Sequence, residues 1–152
     1  MLGWTALLPL MPLDPAASST AVRLGLGAVA LLPGAGVLAL MLLTQMLGRA
    51  FTGRINPLAP GEPALLLINQ RCISNTVEQF LVFLPAMLAL SAAISGPRMA
   101  DVMALGVVFA VARVVFWAGY LADPVARAPG MVATVTCNAA ALVAAAWFWL
   151  QA

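Results

Sequence analysis

Residues 64–95 read ALLLINQRCISNTVEQFLVFLPAMLALSAAIS, an apolar run with charged and amide side chains near its start. The run exceeds the ~20 residues that a helix needs to cross a bilayer, so its first turns can reach the membrane interface. Arg71, Asn75 and Glu78 are spaced i, i+4 and i+7. Because a helix turns ~100° per residue, these three side chains share one face. Charge is costly at membrane depth, so this face predicts contact with a polar cavity, a partner or a ligand.

The composition around this run indicates an integral membrane protein. Of 152 residues, 64% are hydrophobic and 8% are charged, with a mean hydropathy of +1.05. The seven basic residues are all arginines and are scattered along the chain, which argues against a nucleic-acid partner. Cys72 and Cys137 form no CxxC pattern and there is no histidine, so we interpret both as packing residues and expect no metal site.

Four apolar runs predict four transmembrane helices, and hence an all-α membrane protein. The first connection, Phe51–Pro63, is rich in proline and glycine, and the other two, 96–98 and 123–124, are short. Short connections join antiparallel helices, which predicts an up-down-up-down bundle. The predicted spans are Ala21–Gly48, Ala64–Ser95, Met99–Ala122 and Ala128–Trp149.

The domain organisation and orientation follow from the same pattern. Residues 1–20 contain no basic residue of the kind that begins a signal peptide, and we expect an interfacial or disordered lead-in before one domain, residues 21–152. Arginines are more numerous around the first and third connections. The positive-inside rule therefore predicts cytoplasmic loops at 49–63 and 122–128, with both termini outside.

A second polar face is predicted in the third span. Arg113 and Tyr120 are seven residues apart and share a face, and Arg127 follows the next turn. If this face packs against Arg71, Asn75 and Glu78, the six side chains line one cytoplasmic pocket with a net positive charge. Arginine matches carboxylates bidentately, so the pocket suits an anionic ligand that also carries an ammonium group. Alternatively, Glu78 and Arg113 neutralise each other and stabilise the bundle.

Three stretches resemble a known family. The segment 71–78, RCISNTVE, is similar to the second-helix signature of the MAPEG family, the membrane-associated proteins of eicosanoid and glutathione metabolism. Arg49-Ala50-Phe51 closes the first span as in that family, and Tyr120 precedes Arg127 by the family's seven residues. The likeness extends from about Ala21 to the C-terminus.

The resemblance implies a homotrimer of four-helix subunits that bind glutathione at their interfaces, near the cytoplasmic face. It implies that Arg127 stabilises the glutathione thiolate and is the catalytic residue. A nearby guanidinium lowers a thiol pKa from its usual ~8.5, so this role is also physically reasonable. In the implied trimer, Arg49 of the neighbouring subunit would contribute to the glutathione site. The glutathione-binding residues implied are Arg49, Arg71, Asn75, Glu78, Arg113 and Tyr120.

The sequence also differs from glutathione-using relatives. Phe116 stands where several have tyrosine or histidine, Gln79 where some have tyrosine, and Gly48 and Ser74 where some have arginine. The predicted pocket is therefore less basic than the pockets of those relatives and has fewer hydroxyl groups.

Three functional interpretations remain open from the sequence. The first is a bacterial-type inner-membrane glutathione transferase or peroxidase that acts on lipophilic electrophiles or hydroperoxides, with membrane lipids around it. The second is a non-enzymatic protein of the same fold that binds an anionic lipid or another ligand. The third is a small exporter that uses Glu78 as a proton-coupled carboxylate, which nearby arginines disfavour. For Arg127 the alternative is a helix-end arginine that reaches to the interface.

Overall fold

The computed structural model describes residues 19–53, 56 and 61–151 and shows a helical bundle. Four of its helices are long and apolar enough to span a membrane, which confirms the all-α, four-span prediction. Of the predicted lead-in, residues 1–18 lie outside the described residues, as does part of the first connection. The elements are α1 (Thr20–Thr52), α2 (Ala64–Ala93), a 3-10 turn (Gly96–Arg98), α3 (Met99–Ala122) and α4 (Ala128–Leu150).

The helix ends follow local chemistry. Ser19 caps α1, because its hydroxyl oxygen accepts a hydrogen bond from the Val22 N–H at 3.3 Å. At the other end of α1, Gly53 adopts a left-handed conformation with φ of 66°, which glycine favours. Helix α2 ends at Ala93, before the predicted Ser95, because the backbone of Ile94 is already extended, with φ of −82° and ψ of 158°.

Successive helices are antiparallel, as predicted, and the bundle adds two parallel pairs. Around the bundle the order is α1, α2, α4, α3, so α1 lies beside α3 and α2 beside α4. Gln79 bonds to Asn138, and Ala89 bonds to Trp149 further along, which shows that α2 and α4 run in the same direction. The ends of α1 and α3 therefore meet the starts of α2 and α4 at one end of the bundle, here called the site end.

Two glycines allow close approach between helices. A Cβ atom on Gly106 of α3 would collide with the carbonyl oxygen of Ala30 in α1. A Cβ atom on Gly130 of α4 would collide with the backbone nitrogen of Phe116 in α3. The backbone of α3 therefore lies against α1 on one side and α4 on the other, a tight packing typical of membrane helices.

A polar cluster joins three helices near the site end. The Trp117 indole N–H donates to Asn69 Oδ1 at 2.8 Å. The Asn69 amide in turn donates to the Met41 carbonyl oxygen at 3.0 Å and to Gln45 Oε1 at 2.9 Å. Asn69 is buried, so these bonds compensate for the loss of water around its amide. They fix the start of α2 against α1 and α3.

Candidate functional site

Arg113 lies inside the bundle rather than on its surface. It is fully buried. Its Nη2 donates to the Thr76 hydroxyl at 2.7 Å and to Asn75 Oδ1 at 3.1 Å, and its Nη1 donates to the Thr134 hydroxyl at 3.4 Å. The guanidinium carbon lies 4.0 Å from the centre of the Phe116 ring. A buried positive charge is therefore held by neutral oxygens and an aromatic face.

The hydroxyl partners of Arg113 are themselves oriented by helix backbone. The Thr76 hydroxyl donates to the Cys72 carbonyl oxygen at 2.7 Å, and the Thr134 hydroxyl donates to the Gly130 carbonyl oxygen at 2.7 Å. Each hydroxyl hydrogen is thus used locally, which leaves an oxygen lone pair for the arginine. This arrangement favours a charged guanidinium without a carboxylate beside it.

The ion pair between Glu78 and Arg113, which the sequence left as an alternative, is not formed. Glu78 is exposed on the outer side of α2. Thr76 is fully buried and takes the position facing Arg113. The i, i+4, i+7 spacing correctly predicts that Arg71, Asn75 and Glu78 share a face, but it does not indicate how α2 is rotated in the bundle.

The shared face of α2 is directed largely outward. Arg71 and Glu78 are exposed and Asn75 is partly buried. Within one chain the six predicted residues therefore do not line a single cavity, because Arg113 is interior and the α2 charges are exterior. Asn75 connects the two regions through its bond to Arg113.

Arg127 and Tyr120 are in direct contact at the site end. The Arg127 guanidinium carbon lies 4.5 Å from the centre of the Tyr120 ring, and the Tyr120 ring meets the edge of Phe116 at 5.9 Å. Tyr120 is buried and Arg127 is exposed. The two rings, in edge-to-face contact with each other, thus connect the buried Arg113 with the exposed Arg127.

The level of Arg127 relative to α2 follows from the helix register. Gln79 of α2 bonds to Asn138 of the parallel helix α4. Arg71 precedes Gln79 by eight residues, and Gly130 precedes Asn138 by eight, so both lie at a similar depth. Arg127, just before α4, is therefore close to the depth of Arg71.

Arg49 is placed at the same end by α1 and has a partner that sequence reasoning missed. Its Nη2 lies 2.7 Å from Oε1 of Glu62, and both side chains are mostly buried, at 20% and 14% exposure. In the single chain, Arg49 therefore interacts with its own chain's carboxylate. The signal in the sequence was a lone acidic residue in the proline-rich connection, at the end where three of the predicted arginines lie.

Other polar partners of the candidate residues were also missed. Asn138 donates to Gln79 Oε1 at 2.8 Å and to the Gln79 carbonyl oxygen at 3.2 Å. These residues, like Thr76 and Thr134, are polar groups in apolar helices, which is the signal that could have identified them. Among residues 19–53, 56 and 61–151, no cluster of acids, cysteines or histidines suitable for a metal ion occurs.

The comparison with known proteins agrees with the architecture. No curated protein matches the chain. The model of the MAPEG family matches residues 24–147, a range that includes most of each helix and all the candidate residues named above. Since this match covers well over half of the sequence, the chain belongs to the MAPEG family.

Proposed function

We propose that this membrane protein is a glutathione-dependent transferase or peroxidase that acts on lipophilic electrophiles or hydroperoxides. The MAPEG family includes such enzymes. The observation that carries the proposal is the outward face of α2, where Arg71 and Glu78 are exposed on a membrane-spanning helix and Arg71 lies at about the depth of Arg127. Exposed charge at that place requires a polar ligand or partner.

The groups on this face complement glutathione. The tripeptide has two carboxylates, one ammonium group, amide carbonyls and a thiol. Arg71 suits a carboxylate, and Glu78 suits the ammonium group. The amide of Asn75, between them on the helix, suits a carboxylate or carbonyl oxygen. One glutathione molecule would thus supply a carboxylate for Arg71 and an ammonium group for Glu78.

Arg127 is the proposed catalytic residue. A thiol with an ordinary pKa of ~8.5 is only a few per cent ionised at neutral pH, and a neighbouring cation lowers that pKa. Each unit of lowering is equivalent to ~1.4 kcal/mol. Arg127 is exposed yet held on the Tyr120 ring, so its charge has a defined position from which to act on a bound thiol.

A homotrimer is the proposed assembly. In the single chain the α2 face with Arg71 and Glu78 has no covering helix, and a second copy would cover it and exclude lipid. Arg49 would then contribute to the neighbouring subunit's site. The lipophilic substrate would enter sideways from the membrane and meet the thiolate at the protein surface. We propose a bacterial inner membrane as the location. The arginine distribution favours an orientation with the site end in the cytoplasm.

The test is a titration of the purified protein in detergent with glutathione, followed by assays with an aryl halide and an organic hydroperoxide. The wild type should bind and turn over, whereas Arg127→Ala should bind and lose most turnover. Arg98→Ala is the matched control, because Arg98 is an exposed arginine at the opposite end, paired with Asp101 at 3.7 Å. Binding without turnover by the wild type would favour the non-enzymatic alternative, and absence of binding would exclude the proposal.

A further inference from the structure

Two amides of α2 are bonded through their carbonyl oxygens. Arg113 Nη2 donates to Asn75 Oδ1 at 3.1 Å. Asn138 Nδ2 donates to Gln79 Oε1 at 2.8 Å. Asn75 and Gln79 are spaced i, i+4, so they are neighbours on the helix surface. Both amides therefore have the same polarity, with the oxygen toward the interior of the bundle.

The chemistry of the buried partners enforces this polarity. A guanidinium has donors and no acceptor, so only the carbonyl oxygen of Asn75 can face Arg113. Asn138 also donates to the Gln79 backbone oxygen at 3.2 Å, which fixes its NH2 group toward Gln79. Arg113 is fully buried and Asn138 is 5% exposed, so neither side chain can turn away into solvent.

The NH2 groups of both α2 amides remain available. Neither donates a hydrogen bond to any other residue in the part of the chain that the structure describes, and both residues are only partly buried. An unused donor at membrane depth is unfavourable unless a ligand or partner accepts from it. Arg71, one turn before Asn75, adds further donors on the same side of α2.

We infer that Arg113 and Asn138 are positioning residues that hold the NH2 groups of Asn75 and Gln79 toward the ligand. Arg71, Asn75 and Gln79 then offer only donors. The ligand class this selects is a peptide-like anion whose carboxylate and carbonyl oxygens accept along α2. The inference rests on the proposed function, and it assigns to Arg113 an indirect role in place of the direct glutathione contact expected from the sequence.

The first experiment replaces each amide by its isosteric acid. Asn75→Asp and Gln79→Glu keep the oxygen that faces the interior and convert the outward donor into an acceptor. The glutathione Kd, measured by calorimetry in detergent, should rise about tenfold or more in each variant, as expected for loss of a hydrogen bond to a charged group. Gln70→Glu is the matched control, because Gln70 is exposed on α2 outside these pairs, and its Kd should equal that of the wild type.

Thermal unfolding without ligand tests the amide orientation separately. Asn75→Asp gives Arg113 a carboxylate, so the Tm should be equal to or above that of the wild type. A lower Tm would overturn the orientation. A wild type that binds glutathione while both acid variants bind equally well would overturn the donor role and leave the proposed function intact. A wild type that binds no glutathione would overturn both the proposed function and the donor role.

A double-mutant cycle tests whether Arg113 acts through Asn75. Arg113→Met should weaken glutathione binding in the wild-type background and have no further effect on Kd in an Asn75→Ala background. Equal effects in both backgrounds would show that Arg113 acts only through general stability. Arg113→Lys, which retains a donor, should recover part of the affinity lost in Arg113→Met.

Discussion

Arg127 lies over the ring of Tyr120, with 4.5 Å between the guanidinium carbon and the ring centre. A cation over an aromatic face is stabilised by about 0.5–1 kcal/mol at exposed sites. Because Tyr120 is buried and also contacts Phe116, the ring is a rigid support for an arginine that would otherwise move freely in the connection to α4.

Tyr120→Leu should therefore reduce the rate of conjugation, while Tyr120→Phe should retain most of it. Leucine removes the aromatic face, whereas phenylalanine keeps it and removes only the hydroxyl. The expected loss in Tyr120→Leu is about two- to fivefold in kcat, which is equivalent to the cation–π energy. The measurement is the turnover of an aryl halide across a pH range. Equal loss in both variants would assign the effect to the hydroxyl instead.

Glu78→Ala should weaken glutathione binding without lowering stability. Glu78 is exposed and makes no ion pair with Arg113, so its removal should change the free energy of unfolding by no more than about 0.5 kcal/mol. Thr76→Val is the contrasting variant, because it removes the 2.7 Å acceptor of a fully buried guanidinium. Thr76→Val should lower the free energy of unfolding by about 1–3 kcal/mol. Thermal unfolding in detergent compares the two variants. A large loss of stability in Glu78→Ala would indicate that Glu78 does form an ion pair with Arg113, contrary to the structure.

Gly106→Ala should destabilise the bundle, whereas Gly36→Ala should not. A Cβ atom at Gly106 meets the Ala30 carbonyl oxygen, and at Gly36 it meets nothing within 4 Å. The clash in Gly106→Ala should lower the free energy of unfolding by about 1–3 kcal/mol. Alanine in the open helical position of Gly36 should raise it by about 0.5–1 kcal/mol. Chemical or thermal unfolding of both variants measures the difference. Similar behaviour of the two would contradict the close contact between α1 and α3.

The length of each apolar run determines where a helix lies in the sequence, whereas the rotation of that helix in the bundle determines which side chains face the interior. The four spans were predicted to within four residues because an apolar run of ~20 residues has few alternatives. The interior position of Arg113 was not predicted. Periodicity shows that two residues share a face, but the packing of Gly106 and Gly130 decides which face is turned inward. The Thr76 and Thr134 hydroxyls that hold Arg113 carry no charge. Charge complementarity along the sequence therefore does not indicate them as partners of Arg113.

Glu62→Gln tests whether Arg49 takes part in the ligand site. In the single chain, Oε1 of Glu62 lies 2.7 Å from Nη2 of Arg49. The Glu62 carboxylate would therefore compete with a ligand carboxylate for the Arg49 guanidinium. Removal of its charge should lower the glutathione Kd by a factor of about two to five, since partly exposed ion pairs contribute up to about 1 kcal/mol. The effect should diminish at high salt, which screens such pairs.

Two variants make the Glu62 result specific. Asp101→Asn neutralises the acid that pairs with Arg98 at the opposite end of the bundle, so it should leave the Kd unchanged. Arg49→Ala should weaken binding and abolish the gain from Glu62→Gln, because the competing pair no longer exists. If Glu62→Gln and Arg49→Ala both bind as the wild type does, Arg49 serves only to hold the first connection against α1, and the neighbouring subunit's site must be completed by another group.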